Sequence, residues 1–365
     1  MEHILLLIWV GFMALISKSI QCKKTVLVDG VEVERYNTVF TLLCFTPIIL
    51  MAAFRTFNAG DTWAYATNFK GMPSSLSELP NYMKSTTKDP GFYLFSSIIK
   101  IIFDYNVVIY FFIIALIQGI IVSNFFRKYS CNFFISLFLF VASIDYFTWM
   151  FNGIRQFLAV TIILSAMPLM LKKKYIWTIL IILLAATIHQ TALIMIPIIF
   201  ISQGQAWNKK TVAFIIGILA VLLFIDSFTP WLDSALSETQ YSNVVKEYTA
   251  WKDDGTNPLR VLVYSIPAII SFGARKTIRD SGDKVINLST NMSIISTGIY
   301  LVSMLTSGIF LGRLPIYCSL FSYLLLPWEL KHVFNENTRR YLTLAMIVLY
   351  LGYYYFQMHI MYNVF

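Results

Sequence analysis

Residues 152–200 read NGIRQFLAVTIILSAMPLMLKKKYIWTILIILLAATIHQTALIMIPIIF. A hydrophobic run opens with Arg155 and closes on the triple lysine Lys172–Lys174, and a second hydrophobic run then carries His189. A charged side chain at the centre of a membrane helix costs about 2.5–3.5 kcal/mol on insertion scales, so such a group is kept where it meets water, a partner or a substrate. The lysines mark one face of a membrane. Arg155 and His189 each lie one hydrophobic length away, which predicts a polar site at the opposite face.

Composition agrees with a bilayer environment. Of 365 residues, 58% are hydrophobic and 13% charged, against roughly 25% charged in soluble domains; the mean hydropathy is +0.68. Aromatic residues reach 16% and gather near the ends of apolar runs, as interfacial belts require. The runs are continuous, without the period-2 alternation of a membrane β-barrel. The net charge of +9 sits in short loops between spans, so it signals orientation rather than affinity for nucleic acid. The first apolar run, from Ile4, has neither a basic leader nor a small-residue cleavage site and reads as a retained span. Cys22, Cys44, Cys131 and Cys318 have no metal or redox spacing. The expectation is an all-α polytopic membrane protein.

Span length predicts about 11–13 transmembrane helices, with apolar runs near 4–20, 38–54, 106–126, 132–150, 153–171, 175–188, 190–202, 211–229, 258–273, 288–306, 313–328 and 341–361. They form one transmembrane domain over 1–365, without repeats or a soluble domain. A tight hairpin around His189, rather than one long helix, puts every basic cluster on one side and both chain ends on the other. The short segment Gly91–Phe103, holding Lys100 and flanked by Asp89–Pro90 and Asp104, reads as a re-entrant or interfacial helix roofing a cavity. Two outer loops, 55–105 and 230–257, exceed the length of ordinary connectors. The second carries Asp233, Glu238, Glu247, Asp253 and Asp254 with Trp231, Tyr241, Tyr248 and Trp251. Those residues suit an interfacial helix, a sugar-binding lid or a solvated connector.

Charged residues at the outer edge form a short group: Arg55, Asp61, Asp89, Asp145, Arg155, His189 and Arg313. Arg155 and Arg313 stand near helix starts, where free N–H groups and the positive dipole end favour anions. A guanidinium fork matches phosphate oxygens bidentately, so Arg55, Arg155 and Arg313 are candidates for a diphosphate. The structural alternative pairs Arg155 with Asp145 and Arg55 with Asp61. His189 is a candidate general base or a hydrogen-bonded core residue. Asp61, among aromatic residues that could stack on a sugar, is the rival base favoured slightly, and Asp145 is another. There is no GxSxG, HExxH, P-loop, CxxC or DxD pattern, which argues against a metal-dependent nucleotide-sugar transferase.

Five segments together resemble the EpsG-type family of Wzy-like polysaccharide polymerases: FRTFNAGDTWAY (54–65), DPGFYLFSSIIK (89–100), NGIRQFLAVTIILSA (152–166), the KKKY…HQTALIMIP run (172–197) and GRLPIYCSLFSYLLLP (312–327). Where this chain has Asp89, the family often has glutamate. The resemblance implies a GT-C-like membrane glycosyltransferase. It would join undecaprenyl-diphosphate-linked oligosaccharide repeat units of O-antigen, capsule or exopolysaccharide at the outer face of the bacterial inner membrane. It implies inverting transfer with no cofactor, metal or nucleotide sugar, lipid-linked oligosaccharides as substrates, and a chain-length regulator as a possible membrane partner. Asp61 or His189 would be the base, Arg55, Arg155 and Arg313 the diphosphate ligands, and Tyr65, Asp89, Asp145, Gln156 and Tyr317 supporting residues. A transporter or flippase of lipid-linked sugar would instead carry charges at mid-membrane and show repeat symmetry. A membrane O-acyltransferase would leave the three arginines without a role.

Overall fold

The computed structural model describes residues 2–28, 31–57, 60–236 and 255–364. These fall into two compact units. One comprises Met1–Pro168, Ile176–Leu193 and Asn335–Phe365, the other Leu169–Tyr175 and Ile194–Phe334. Most of the acidic and aromatic loop expected over 230–257 lies outside the described residues.

In the first unit, α1 (Glu2–Ser19) leads into an antiparallel hairpin, β1 (Lys23–Val28) with β2 (Val31–Tyr36), registered from Lys23 opposite Tyr36 to Val28 opposite Val31. α2 (Thr38–Ala53) then packs along α6 (Val107–Tyr129). The approach is close because Gly119 faces Ile49, whose Cδ1 would stand 2.6 Å from any Cβ there. Three helices fill the expected outer loop: α3 (Thr62–Lys70), α4 (Leu79–Ser85) and α5 (Pro90–Phe103). Lys100 of α5 is buried, yet its ammonium donates to the carbonyls of Lys70 (2.7 Å) and Met72. It thereby satisfies acceptors left open at the end of α3. After α7 (Phe133–Ala142) and α8 (Asp145–Phe147) with its π-helical continuation Thr148–Asn152, α9 (Ile154–Ser165) and α10 (Met167–Leu171) follow. α11 (Tyr175–Ile188) runs to His189, where the helix breaks into a 3-10 turn, Gln190–Ile194.

The second unit contains α12 (Met195–Ile201), α13 (Lys209–Leu223), α14 (Ile225–Leu236), α15 (Pro258–Gly273), α16 (Arg275–Asp280), α17 (Lys284–Met304), α18 (Ile316–Ser319) and α19 (Ser322–His332). α17 is its hub, packed against α13, α15, α18 and α19. Its buried face carries Asn287, Ser289, Thr290, Asn291, Ser293 and Ser296. Asn291 donates to the carbonyls of Ser202 and Gln205, and Ser293 meets Ser322 at 2.9 Å. The last helix, α20 (Glu336–Tyr355), returns to the first unit against α7.

The chain is helical and built for a bilayer, but the span count is lower than the apolar runs predict. Among the described residues, four helices are long and apolar enough to cross a membrane, or six if two bent pairs each count as one span. Those pairs are Phe133–Ala142 with Asp145–Asn152, bent by 64°, and Lys209–Leu223 with Ile225–Leu232, bent by 98°. The remaining apolar runs form helices of 10–17 residues or shorter pieces. The physical reason is interruption within the runs. Ile144 sits at φ 58, a left-handed conformation costly for a β-branched residue, and ends α7. The 313–328 run is likewise divided between α18 and α19.

Candidate functional site

The tripeptide Asp89-Pro90-Gly91 sets the site. Asp89 adopts φ 49, ψ 49, a left-handed conformation that Asp tolerates better than most non-glycine residues. Pro90 then opens α5 with a preset helical φ. The Asp89 side chain does not cap its own helix and turns toward α9 and the break after α11. Gly91 permits this because a Cβ there would overlap Thr187, lying 2.8 Å from its Cβ and 3.0 Å from its backbone carbonyl carbon.

The Asp89 carboxylate is buried. Oδ2 accepts from Arg155 Nη1 at 2.9 Å and from His189 Nδ1 at 3.4 Å, while Oδ1 accepts from the backbone N–H of Gln190 at 3.3 Å. A buried charge is tolerable when paired and hydrogen-bonded in this way. Burial pushes the carboxyl pKa up. The His189 hydrogen bond, the charges of His189 and Arg155, and the Gln190 N–H outweigh it and leave the group below its ordinary range. An ionised carboxylate can only accept, so Nδ1 of His189 donates, and in a neutral ring with that tautomer Nε2 is the acceptor.

Arg155 stands in the first turn of α9, its guanidinium centre 5.8 Å from the Tyr65 ring and 5.9 Å from the Phe92 ring. Its Nε is buried without a partner. Arg155 lines a pocket of about 90 Å³ with Asp61, Tyr65, Asn68, Tyr93 and Tyr110. Pockets that enclose a whole ligand run roughly 300–1,000 Å³, so this one has room for only part of a larger molecule. Burial raises the Tyr65 phenol's pKa, and the neighbouring Arg155 partly opposes that shift. Arg55, just past α2, lies between the rings of Phe111 (4.2 Å) and Phe151 (4.7 Å) and donates from Nη1 to the Phe151 carbonyl at 3.3 Å. Its Nη2 is buried with no partner. Burial draws its pKa down to about 9, opposed by Tyr110 and Tyr65, so it remains a cation at neutral pH.

Of the residues singled out in the sequence, Arg55, Asp61, Tyr65, Asp89, Arg155 and His189 therefore share one neighbourhood of the first unit. The carboxylate paired with Arg155 is Asp89, not Asp145. Arg55 and Asp61 form no ion pair. Asp145 is buried elsewhere, accepting from Trp149 Nε1 at 3.2 Å beside Tyr350. Gln156 is buried on α9. Arg313 and Tyr317 belong to the second unit, the former exposed and the latter buried. Tyr93, Tyr110 and Asn68 were not singled out; the crowding of aromatics around 92–110 was the available signal.

Four of the five resemblance segments supply this neighbourhood, although they are scattered over more than a hundred residues. A family model described as the EpsG family matches residues 38–364. The chain belongs to the EpsG family. The match takes in nearly the whole chain and every residue of the site. No curated protein matches the chain, and no solved structure does. EpsG membership, with the apolar helices, supports a multi-pass membrane protein with a polysaccharide-polymerase role.

Proposed function

We propose that this EpsG member joins lipid-diphosphate-linked oligosaccharide repeat units at the outer face of a bacterial cytoplasmic membrane, within a GT-C-like architecture. The growing glycan leaves its lipid diphosphate as an acceptor hydroxyl of a second unit attacks the anomeric carbon, inverting it in one step. The observation carrying this reading is Arg155, set over a small aromatic pocket by a buried carboxylate. One edge of its fork is held by Asp89 while the rest borders the pocket. A guanidinium fixed in advance stabilises charge developing on the departing diphosphate without reorganising during reaction. Arg55, with an unpartnered Nη2, is the second cation of that role. Asp61 on the pocket wall takes the acceptor proton. His189 and Asp89 act as a brace for Arg155.

A second reading makes His189 the base. Its Nδ1 bond to Asp89 fixes the tautomer with Nε2 as the acceptor, the logic by which carboxylates orient catalytic histidines. The test of the principal reading is polymerisation of purified lipid-linked repeat units. Arg155→Ala should leave single units where the parent gives a ladder. Arg155→Lys should recover only part of the activity, because an ammonium lacks the fork. Polymerisation at the parent rate by the alanine variant would reject the diphosphate role.

A further inference from the structure

The second unit holds a groove of about 310 Å³ between α13, α15 and α17, remote in sequence from the residues discussed above. Its wall is apolar, built from Phe214, Ile218, Ala268, Phe272, Ile294 and Leu301, among others. Rim residues Leu219, Ile269 and Phe272 are more than half exposed, so the groove opens sideways rather than into the core. On helices of a membrane protein such a rim faces acyl chains.

One end of the groove is built differently. Trp207 lines it at φ 56, a left-handed conformation that is unfavourable for a bulky residue. Three side chains hold it there. Asn291 Oδ1 accepts from the Trp207 N–H (3.1 Å), Arg279 Nη2 donates to the Trp207 carbonyl (2.6 Å), and Ser271 Oγ accepts from the indole N–H (3.0 Å). The ring meets Phe272 edge-on at 5.0 Å. Strained residues persist when the surroundings over-determine them, and they gather at ligand clamps. Immediately after Trp207, Asn208 caps α13, and the exposed Lys209 and Lys210 occupy its first turn. The exposed Arg275 stands 4.8 Å from the Phe272 ring at the same end and donates from Nη1 to the Phe272 carbonyl at 3.0 Å. The Lys210 ammonium reaches the Phe200 carbonyl, which leaves Lys209 and the rest of the Arg275 fork as the cations for a ligand. An apolar slot, an indole at its mouth and cations beside it match a phosphate joined to a long hydrocarbon.

We propose that this groove is a binding site for an anionic phospholipid, phosphatidylglycerol. One acyl chain lies along Phe214, Ile218, Ala268 and Leu301, the glycerol backbone sits against Trp207, and the phosphate lies between Lys209 and Arg275. Two cations at one end of an otherwise apolar groove favour an anionic lipid over phosphatidylcholine, whose choline would meet those same cations. The site is separate from the polymerase reading and stands or falls without it.

Brominated acyl chains quench tryptophan on contact, so the full-length protein in phosphatidylcholine vesicles provides the test. The Trp207 signal is the difference between the parent and Trp207→Phe. At equal mole fraction, bromophosphatidylglycerol should quench that signal more than bromophosphatidylcholine. Lys209→Gln and Arg275→Gln, both at exposed positions, should each lower the preference roughly fivefold, the change expected for removing one basic side chain near an anionic headgroup. Ile269→Phe, narrowing the rim, should reduce quenching by both lipids. Equal quenching by the two lipids in the parent, or a preference that survives both charge variants, would overturn the proposal. So would displacement of the brominated lipid by polyprenyl phosphate at concentrations where unlabelled phosphatidylglycerol has no effect, since the groove would then belong to the substrate's tail.

Discussion

Replacing Asp89 with asparagine removes one charge and turns one acceptor into a donor where three donors converge. In the parent, Oδ2 serves Arg155 and His189 and Oδ1 serves the Gln190 N–H. The asparagine amide must aim its NH₂ either at Arg155 and His189 or at Gln190, so at least one partner faces a donor in either rotamer. Hydrogen bonds to charged groups contribute about 1.5–3 kcal/mol each, and breaking a fully buried ion pair costs about 3–5 kcal/mol. The Arg155 side chain is 24% exposed, so water rehydrates part of the released guanidinium. The expected loss is then about 2–4 kcal/mol. The activity should fall further, since an error of about 1 Å in a positioned group can cost roughly 100-fold.

The pH dependence carries a sign of its own. The folded carboxyl has a lowered pKa, so its stabilisation is complete above the unfolded carboxylate value of about 4. It is lost as the pH falls below that value through the folded one. Asp89→Asn should therefore be less stable than the parent at pH 7 and converge with it in acid. Thermal unfolding of the detergent-solubilised protein at both pH values, beside the polymer ladder, measures this. Equal stability at pH 7 together with a full ladder would refute the account of Asp89 as the anchor of Arg155.

Gly91→Ala should separate α5 from Thr187 at a cost of about 1–3 kcal/mol and reduce polymer, and adding Thr187→Ala should restore only part of the stability because the backbone contact remains; full recovery in the double variant would contradict this. Paired variants distinguish the bases: Asp61→Asn should abolish the ladder, whereas His189→Gln, which keeps a hydrogen-bonding side chain beside Asp89, should retain part of it, and the reverse ranking would make His189 the base. Cysteines placed at Ser74 and Thr277 test orientation in spheroplasts: an impermeant thiol reagent should label the first and spare the second, and the reverse pattern would invert the assigned faces.

Much of the site was readable from individual residues. Arg155 and His189 stood out because charge and imidazole are rare in apolar runs, and Asp89-Pro90 announced the start of a helix. The partnership between Asp89 and Arg155 was not readable, because it joins positions 66 residues apart and depends on Gly91 admitting α5 against α11. Asp145, closer in sequence to Arg155, was the better guess from spacing alone. The hairpin Lys23–Tyr36 did carry a local signal, VLVDGVEV, in which Asp-Gly stands between alternating apolar residues. Helix interruptions such as that at Ile144 left no trace in composition, since the residues on both sides are equally apolar.

The buried polar face of α17 has a consequence for biogenesis. A segment bearing Asn287, Asn291 and a series of Ser and Thr side chains partitions into lipid less readily than α6, whose polar residues are few. Its hydroxyls and amides are sheltered by α13, α15, α18 and α19, and α13 and α15 precede it in the chain while α18 and α19 follow. During synthesis α17 thus emerges with only half of its shelter made. Its stable residence in the bilayer waits for the helices translated after it, so a ribosome stalled between α17 and α18 would leave this segment poorly integrated and exposed to proteolysis.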